Sequence, residues 1–250
     1  MSILILGCGP AGLLCAWAAV QRGYQDITIV SKEAKPSVLG GAQYMHAPIP
    51  DLTKPEPETI ITVYKMGDGQ TYAEKVYGDP EAPVSWNRYE AGEVPGWNLF
   101  KMYDRLWDAF DADIDEQVMG PEPLDAACGF YDTIISTIPR KALCYNPDHS
   151  FNVRQVWVLP GNEEEGGDFI EYNGVPNISW YRTSRLFGAR MTEWSTTLDN
   201  KPHPDAYLVP KPIATDCDCW EGAVKFIGRY GEWKKSQLVS HAWEQANEVL

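Results

Sequence analysis

The sequence predicts an α/β fold: a parallel sheet held between two further layers, interrupted by a β-rich antiparallel insertion. Three observations carry this. The N-terminal stretch through Ser31 spells strand, glycine turn, helix and strand; short apolar runs ending on turn residues recur near Ile134 and Val224; and between Val153 and Trp194 brief β-rich runs alternate with Gly, Asn and Pro turns.

Taken in order, Ile3 to Leu6 is a continuous apolar run, as a parallel strand buried on both faces requires. Ala11 to Arg22 is Ala- and Leu-rich and reads as a helix, and Ile27 to Val30 reads as the second strand of a β-α-β unit. Ser37 to Asp51, with Gly40, Gly41, Pro48 and Pro50, reads as an ordered loop, followed by a strand over Thr59 to Tyr64. Lys65 to Pro95 is polar, aromatic and punctuated by Gly and Pro. Trp97 to Phe110 then spaces Leu99, Met102, Tyr103, Leu106 and Phe110 three and four apart, which predicts an amphipathic helix. Tyr131 to Pro139 is a short buried strand ending on proline. Val153 to Leu159, Phe169 to Tyr172 and Ile178 to Arg182 read as strands of an antiparallel layer. The last segment repeats the opening pattern, with a strand over Val224 to Ile227, the turn Gly228-Arg229-Tyr230-Gly231, and a helix from about Ser236 to Leu250. The expected division is a nucleotide-binding domain from residues 1–52, 100–146 and 216–250, with a substrate-covering domain from 53–99 and 147–215.

Composition narrows the function classes. Lys plus Arg number 21 against 35 Asp plus Glu, a formal charge of −14, which opposes broad attraction to nucleic acid or anionic lipid. No apolar run approaches the ~20 residues that span a bilayer. The apolar N-terminus lacks a basic flank and is broken early by glycines, so a cytoplasmic location is expected. Six cysteines without a repeated C-x-x-C spacing, and no two histidines at metal-ligand spacing, give no expectation of a disulfide framework or a metal. Cys217-Asp218-Cys219 reads as small apolar packing rather than as a redox pair. Ten Trp among an aromatic share of 12% exceed what a minimal core needs, so some rings are expected to line a pocket.

Gly7-Cys8-Gly9-Pro10-Ala11-Gly12 matches G-x-G-x-x-G directly after a strand and before a helix. The spacing gives each glycine a mechanical role, in which Gly7 makes the turn, Gly9 leaves room for a pyrophosphate, and Gly12 lets helix and strand pack closely. The helix N-terminus faces the diphosphate with free N–H groups. Strand two ends on Ser31, with Lys32 next and Glu33 two places late. Glu33 is a candidate for a ribose hydroxyl, whereas Ser31 and Lys32 would suit a 2′-phosphate and hence NADP.

These residues, together with Asp132-Thr133-Ile134-Ile135-Ser136-Thr137-Ile138-Pro139 and the closing Gly228-Arg229-Tyr230-Gly231, resemble the FAD-dependent oxidoreductases of the glutathione-reductase structural type. The similarity is to the branch that contains amine oxidases and UDP-galactopyranose mutase. It extends over roughly the first 50 residues, about 100 to 146, and the last 35. It implies a Rossmann-like FAD-binding domain, FAD as cofactor, and a closing motif that reaches the flavin's ribityl chain and pyrophosphate. The cofactor set so implied is Gly7, Gly9, Pro10, Ala11, Gly12, Ser31, Lys32, Glu33, Gln43, Thr137, Pro139, Gly228, Arg229, Tyr230 and Gly231. The chain departs from the family in carrying Ser31 at the acidic position and in being shorter than a typical mutase or amine oxidase.

On the substrate side, Trp180 to Gly188 places Arg182 and Arg185 among aromatics, including Tyr181, where two guanidinium groups could fork onto a carboxylate or phosphate. Pairing with the protein's own carboxylates is the competing reading. In the loop after strand two, Gln43, Tyr44 and His46 supply hydrogen-bond donors and a proton carrier. The expected function is hydride transfer between flavin and a small polar substrate, anionic if the arginines bind it. Two alternatives stand beside it: a non-redox flavin isomerase or mutase acting on a nucleotide sugar, and a flavin- or NADP-binding module without catalysis.

Overall fold

The computed structural model describes residues 1–33, 35, 44–54, 58–84, 86, 92–162, 165–196, 202–235 and 237–250. The chain opens with β1 (Ser2–Leu6), α1 (Pro10–Gln21) and β2 (Asp26–Ser31), then passes to β3 (Thr59–Gly67), α2 (Gly69–Tyr77) and β4 (Gly92–Gly96). It returns through α3 (Leu99–Phe110), β5 (Ile114–Glu116), α4 (Pro121–Ala127), β6 (Thr133–Ser136) and α5 (Arg140–Leu143). A second excursion builds β7 (Phe151–Pro160), β8 (Phe169–Gly174), β9 (Arg182–Leu186), β10 (Ala189–Ser195) and β11 (Tyr207–Thr215). The chain then closes with β12 (Lys225–Phe226), α6 (Gly228–Glu232) and α7 (Val239–Val249).

The first sheet has the order β12-β6-β1-β2-β5 with every pairing parallel. Strand alternation divides the Ile3-Leu4-Ile5-Leu6 run between its two faces. Ile3 and Ile5 meet α1, α3 and α7, while Leu4 and Leu6 meet Leu124, Leu143 and Val224 on the other side. A sheet covered on both faces by apolar side chains is the middle layer of a Rossmann-like fold, as the sequence predicts. The amphipathic helix also forms as expected: Leu99, Met102, Tyr103, Leu106 and Phe110 are all buried, and the Asn98 side chain caps its start by accepting from Lys101 N at 3.1 Å.

The second sheet has the order β11-β7-β10-β9-β8-β3-β4. It is mixed, not antiparallel throughout, because β3 and β8 pair in parallel over Thr62 to Gly67. The reason is topological: β3 belongs to the first excursion and β8 to the second, so no hairpin constrains their direction. The third expected strand is displaced, with Ile178 lying before β9, which begins at Arg182. Helix α2 lies within the stretch that gave no periodic signal. It buries only Ala73 and Val76, and its boundaries are set by Asp68, which accepts from Thr71 N at 2.8 Å, and by Gly78 at φ 71°.

Close packing at the start of α1 yields a stability test. A Cβ on Gly12 would lie 1.8 Å from the Gly7 carbonyl oxygen, whereas one on Gly9 would have nothing within 4 Å. Gly12→Ala is therefore expected to lower stability by about 1–3 kcal/mol or more in urea unfolding, with Gly9→Ser within about 0.5 kcal/mol of wild type. Equal behaviour of the two variants would contradict the packing.

Candidate functional site

Strand β1 has β2 on one side and β6 on the other, and the chain reverses its direction of travel across the sheet there. Such a switch point leaves a crevice at the carboxyl ends of the strands. The glycine turn fills its floor. Gly7 takes φ 104°, donates its N–H to Val30 O at 2.7 Å, and lies so close to β6 that a Cβ would sit 2.7 Å from Thr137 Oγ1. Thr137 holds the turn to β1, since its N–H and its hydroxyl each donate to Leu6 O at 2.9 Å. Gly9 is the N-cap of α1 with no side-chain cap, and Pro10 follows in the first turn, where its missing N–H costs nothing. The result is open space beside an uncapped helix start, which suits an anion.

The C-terminal turn reaches the same place. Gly228 adopts φ 73° at the start of α6, and a Cβ there would lie 3.1 Å from Ala11 Cβ. Gly231 sits against β6, where a Cβ would fall 2.4 Å from the Ser136 carbonyl oxygen. Ile227 N donates to that same oxygen at 2.9 Å, and Gly228 N to Gln245 Oε1 at 3.1 Å. Arg229 and Tyr230 extend to the second sheet: Arg229 Nη2 donates to Pro212 O at 3.2 Å and Tyr230 Oη to Pro210 O at 2.8 Å. Among the described residues, Ser136 Oγ and Arg229 Nε are buried without a hydrogen-bond partner, polar atoms at the crevice that a ligand could satisfy.

At the end of β2, Ser31 Oγ accepts from Cys8 Sγ at 3.1 Å, which places Ser31 directly beside the glycine turn. Lys32 and Glu33 are exposed and pair with each other at 2.8 Å. Pro139 caps α5, and Arg140 lies over the Phe226 ring at 4.3 Å. Gln43 falls outside the described residues.

On the face of the second sheet that packs against α2, with Arg229 and Tyr230 bonded to its edge strand β11, lies a buried charge cluster. Glu193, 1% exposed, accepts from Tyr181 Oη at 2.5 Å, from Lys211 Nζ at 3.0 Å to each oxygen, and from Arg182. Burial alone would raise the Glu193 carboxyl, but the charges of Arg182 and Lys211 and the Tyr181 hydroxyl together hold it well below the usual carboxylate range. Burial moves the Tyr181 phenol the other way, far upward, with Glu193 adding to the effect. Arg154 lies over the Tyr77 and Tyr181 rings, and burial lowers Arg229, with Arg154 and Arg182 repelling it further. Two basic side chains thus pair with one buried carboxylate, with Arg154 and Arg229 near them, in a protein of charge −14. Tyr72, Tyr172 and Tyr181 add an aromatic wall, their rings 5.9 and 6.2 Å from Tyr72.

His46 lies near enough to feel the charge of Arg182. Its ring is exposed and stacks on Tyr44 at 4.1 Å. Burial, then the charges of His241 and Arg182, push it down to about 4, against a backbone bond at Tyr44. At neutral pH it is an uncharged imidazole, able to donate and accept hydrogen bonds but not to act as a standing imidazolium acid.

Sequence reasoning and structure part at Arg185. On a strand, residues three apart point to opposite faces, so Arg182 and Arg185 do not form a joint fork. Arg182 turns inward to Glu193, whereas Arg185 donates to the carbonyls of Glu165 and Gly167 and lies over the Phe169 ring at 5.2 Å. Arg154, Glu193 and Lys211 carried no sequence signal, because each is a single residue in a strand whose inward register was unknown. The cysteines that spacing left isolated are in fact grouped: Cys144, Cys217 and Cys219 gather with His149, their ligand atoms all within 4.8 Å of one another. The segments meet only in space, 75 residues apart between Cys144 and Cys219.

No protein-family model and no curated protein matches the chain. Solved structures do share its fold. A reduced UDP-galactopyranose mutase is similar over 99% of this chain and 92% of its own, with TM-score 0.63 and 13% identity. A flavin-dependent halogenase from Brevundimonas sp. BAL3 matches over 99% of this chain and 71% of its own, with TM-score 0.58 and 12% identity. For 2-methyl-3-hydroxypyridine-5-carboxylic acid oxygenase the figures are 99% and 86%, with TM-score 0.52 and 13% identity. At such identities the likeness establishes the fold.

Two measurements check the recess. The folded His46 value of about 4 lies below an unfolded value near 6.5, so the unfolded chain binds more protons between these limits and this contribution to stability is lost as pH falls through them. The His46 ring resonances should accordingly show no titration above about pH 5.5, and a midpoint near 6.5 would place the ring outside the cluster. Glu193→Gln leaves Arg182 and Lys211 without their counter-charge and is expected to cost about 3–5 kcal/mol in urea unfolding, where a loss below about 1 kcal/mol would contradict the buried pairing.

Proposed function

We propose that the chain is an FAD-dependent oxidoreductase that passes hydride between a small, polar, anionic substrate and the flavin. The observation that carries this reading is the meeting of the two glycine turns at the switch point, where Gly228 comes within a side-chain contact of Ala11. One turn suffices for a phosphate, but two turns from distant parts of the chain suit an extended dinucleotide. The open space at Gly9 and the uncapped start of α1 would receive the diphosphate, with Ser31 near a ribose and Gly228, Arg229 and Gly231 along the other side. Lys32 is engaged by Glu33, which weakens its claim on a 2′-phosphate and supports FAD over NADP. When bound, FAD supplies the two-electron chemistry.

The protein's own residues then have distinct roles. Residues 1–52, 100–146 and 216–250 form the cofactor domain in this reading, and 53–99 and 147–215 form the cover that keeps water from the reacting face. Arg182, Lys211, Arg154 and Arg229 concentrate positive charge that would draw in a carboxylate or phosphate, and Glu193 keeps Arg182 and Lys211 in place. Tyr181 serves as a positioning residue for Glu193, and neutral His46 orients the substrate by hydrogen bonds. The same surplus of cations supports a second reading, an isomerase or mutase acting on a nucleotide sugar, whose diphosphate would need such a recess.

Protein purified without added cofactor is expected to be yellow and to release FAD on denaturation, identified by mass. Gly9→Val should remain folded yet lose the flavin, because its branched side chain fills the space now open beside α1. A colourless wild type that also fails to take up added FAD would end the proposal. Product mass separates the two chemistries: a two-hydrogen difference from substrate supports the oxidoreductase, and an unchanged composition supports the isomerase.

A further inference from the structure

We propose that Cys144, His149, Cys217 and Cys219 form a structural Zn²⁺ site that clamps together the two strands of chain passing between the sheets. None of its four residues is among those assigned to the cofactor, and the site does not rest on the function proposed above.

Geometry is the first support. Cys144 Sγ lies 3.7 Å from Cys219 Sγ and 3.4 Å from His149 Nδ1, and Cys219 Sγ lies 3.5 Å from that same nitrogen. All four donor atoms fall within 4.8 Å of one another. A tetrahedron with Zn–S of ~2.3 Å and Zn–N of ~2.0–2.1 Å has sulfur–sulfur edges of ~3.8 Å and sulfur–nitrogen edges of ~3.5 Å. The three edges among Cys144, Cys219 and His149 match those of a metal-centred tetrahedron, and Cys217 Sγ is the fourth donor within the 4.8 Å group. They do not match a disulfide, whose sulfurs are ~2.05 Å apart.

Donor chemistry is the second. Three thiolates and an imidazole are soft to borderline ligands, which select zinc over magnesium or calcium. Four protein ligands complete a tetrahedron and leave no position for water or substrate, so the site is structural in kind. Cys217 and Cys219 are buried and the His149 side chain is only 15% exposed. With Nδ1 directed at the sulfurs, His149 Nε2 faces Asp218 Oδ1 at 3.4 Å and Asn146 Nδ2 at 3.1 Å. With a metal on Nδ1 the ring carries its proton on Nε2, where Asp218 is the acceptor within reach and the Asn146 amide would have to turn aside.

Position gives the site its role. Cys144 and His149 lie in the link from α5 to β7, where the chain leaves the first sheet for the second. Cys217 and Cys219 lie in the link from β11 to β12, where it returns. Ser150 N donates to Asp216 Oδ1, Thr215 Oγ1 to Ser150 O and Trp220 Nε1 to Leu143 O, each at 2.7 Å, so the two links are already stitched side by side. A metal at this crossing would fix the angle between the sheets.

The test is metal analysis of the whole protein by inductively coupled plasma mass spectrometry. About one zinc per chain is expected, with Cys217→Ser lowering it to below about 0.2 and Cys128→Ser leaving it unchanged, since Cys128 lies outside the cluster. Cobalt taken up in place of zinc should give the visible bands of a tetrahedral thiolate site. If Cys217→Ser fails to fold, the wild type decides: mercurial titration should release one zinc as three thiols react. The proposal is overturned if the wild type holds less than about 0.1 zinc per chain even after refolding with equimolar Zn²⁺, or if peptide mapping of freshly purified protein shows a Cys144–Cys219 disulfide. Zinc release unrelated to thiol modification would overturn it as well.

Discussion

The structure depends on backbone packed against backbone at the carboxyl ends of β1 and β6. Gly7, Gly12 and Gly231 are places where a single added carbon would collide with a carbonyl or with Thr137. Those contacts bring the N-terminal turn, the end of β6 and the start of α6 to one point. Interiors tolerate little excess volume, so this junction is either closed or broken. Gly9 alone within the turn faces open space, and that difference between glycines of one motif separates those that build the crevice from the one that lines it.

Electrostatics organise the opposite wall. The protein as a whole is strongly acidic, yet the second sheet pairs Arg182 and Lys211 with one buried carboxylate and has Arg154 and Arg229 close by. A buried charge is tolerated only when it is paired and hydrogen-bonded, and Glu193 receives donors from Tyr181, Arg182 and Lys211 together. Arg154 and Arg229 instead donate to main-chain carbonyls, those of Val76 and Pro212. The potential of such groups is local, so an acidic net charge does not by itself oppose a small anion beside them.

The fold was legible wherever it rested on local pattern. The unbroken apolar run Ile3 to Leu6, the three-and-four spacing from Leu99 to Phe110, and the two glycine turns each encode an element in neighbouring residues. Helix α2 was not legible because two buried positions in nine residues make no stripe, although Asp68 and Gly78 marked its ends. The parallel β3–β8 pair, the Glu193 cluster and the cysteine–histidine group share a different cause. Each is a contact between segments far apart in sequence, and spacing along the chain carries no record of which distant strands become neighbours. Arg182 and Arg185 show the same limit at short range, since their separation looked like a pair until the strand register sent them to opposite faces.

The alternation of the chain between its two sheets bears on how the molecule is assembled. Neither sheet is a contiguous stretch: β3 and β4 are made before β6, and β12 completes the first sheet only after β11 has been added to the second. Neither half can therefore ripen alone as an autonomous folding unit, and most stabilising pairings join residues of high sequence separation. Loops of such length must close before the pairings that reward them exist, so folding should be slow and its transition cooperative, with both halves melting together.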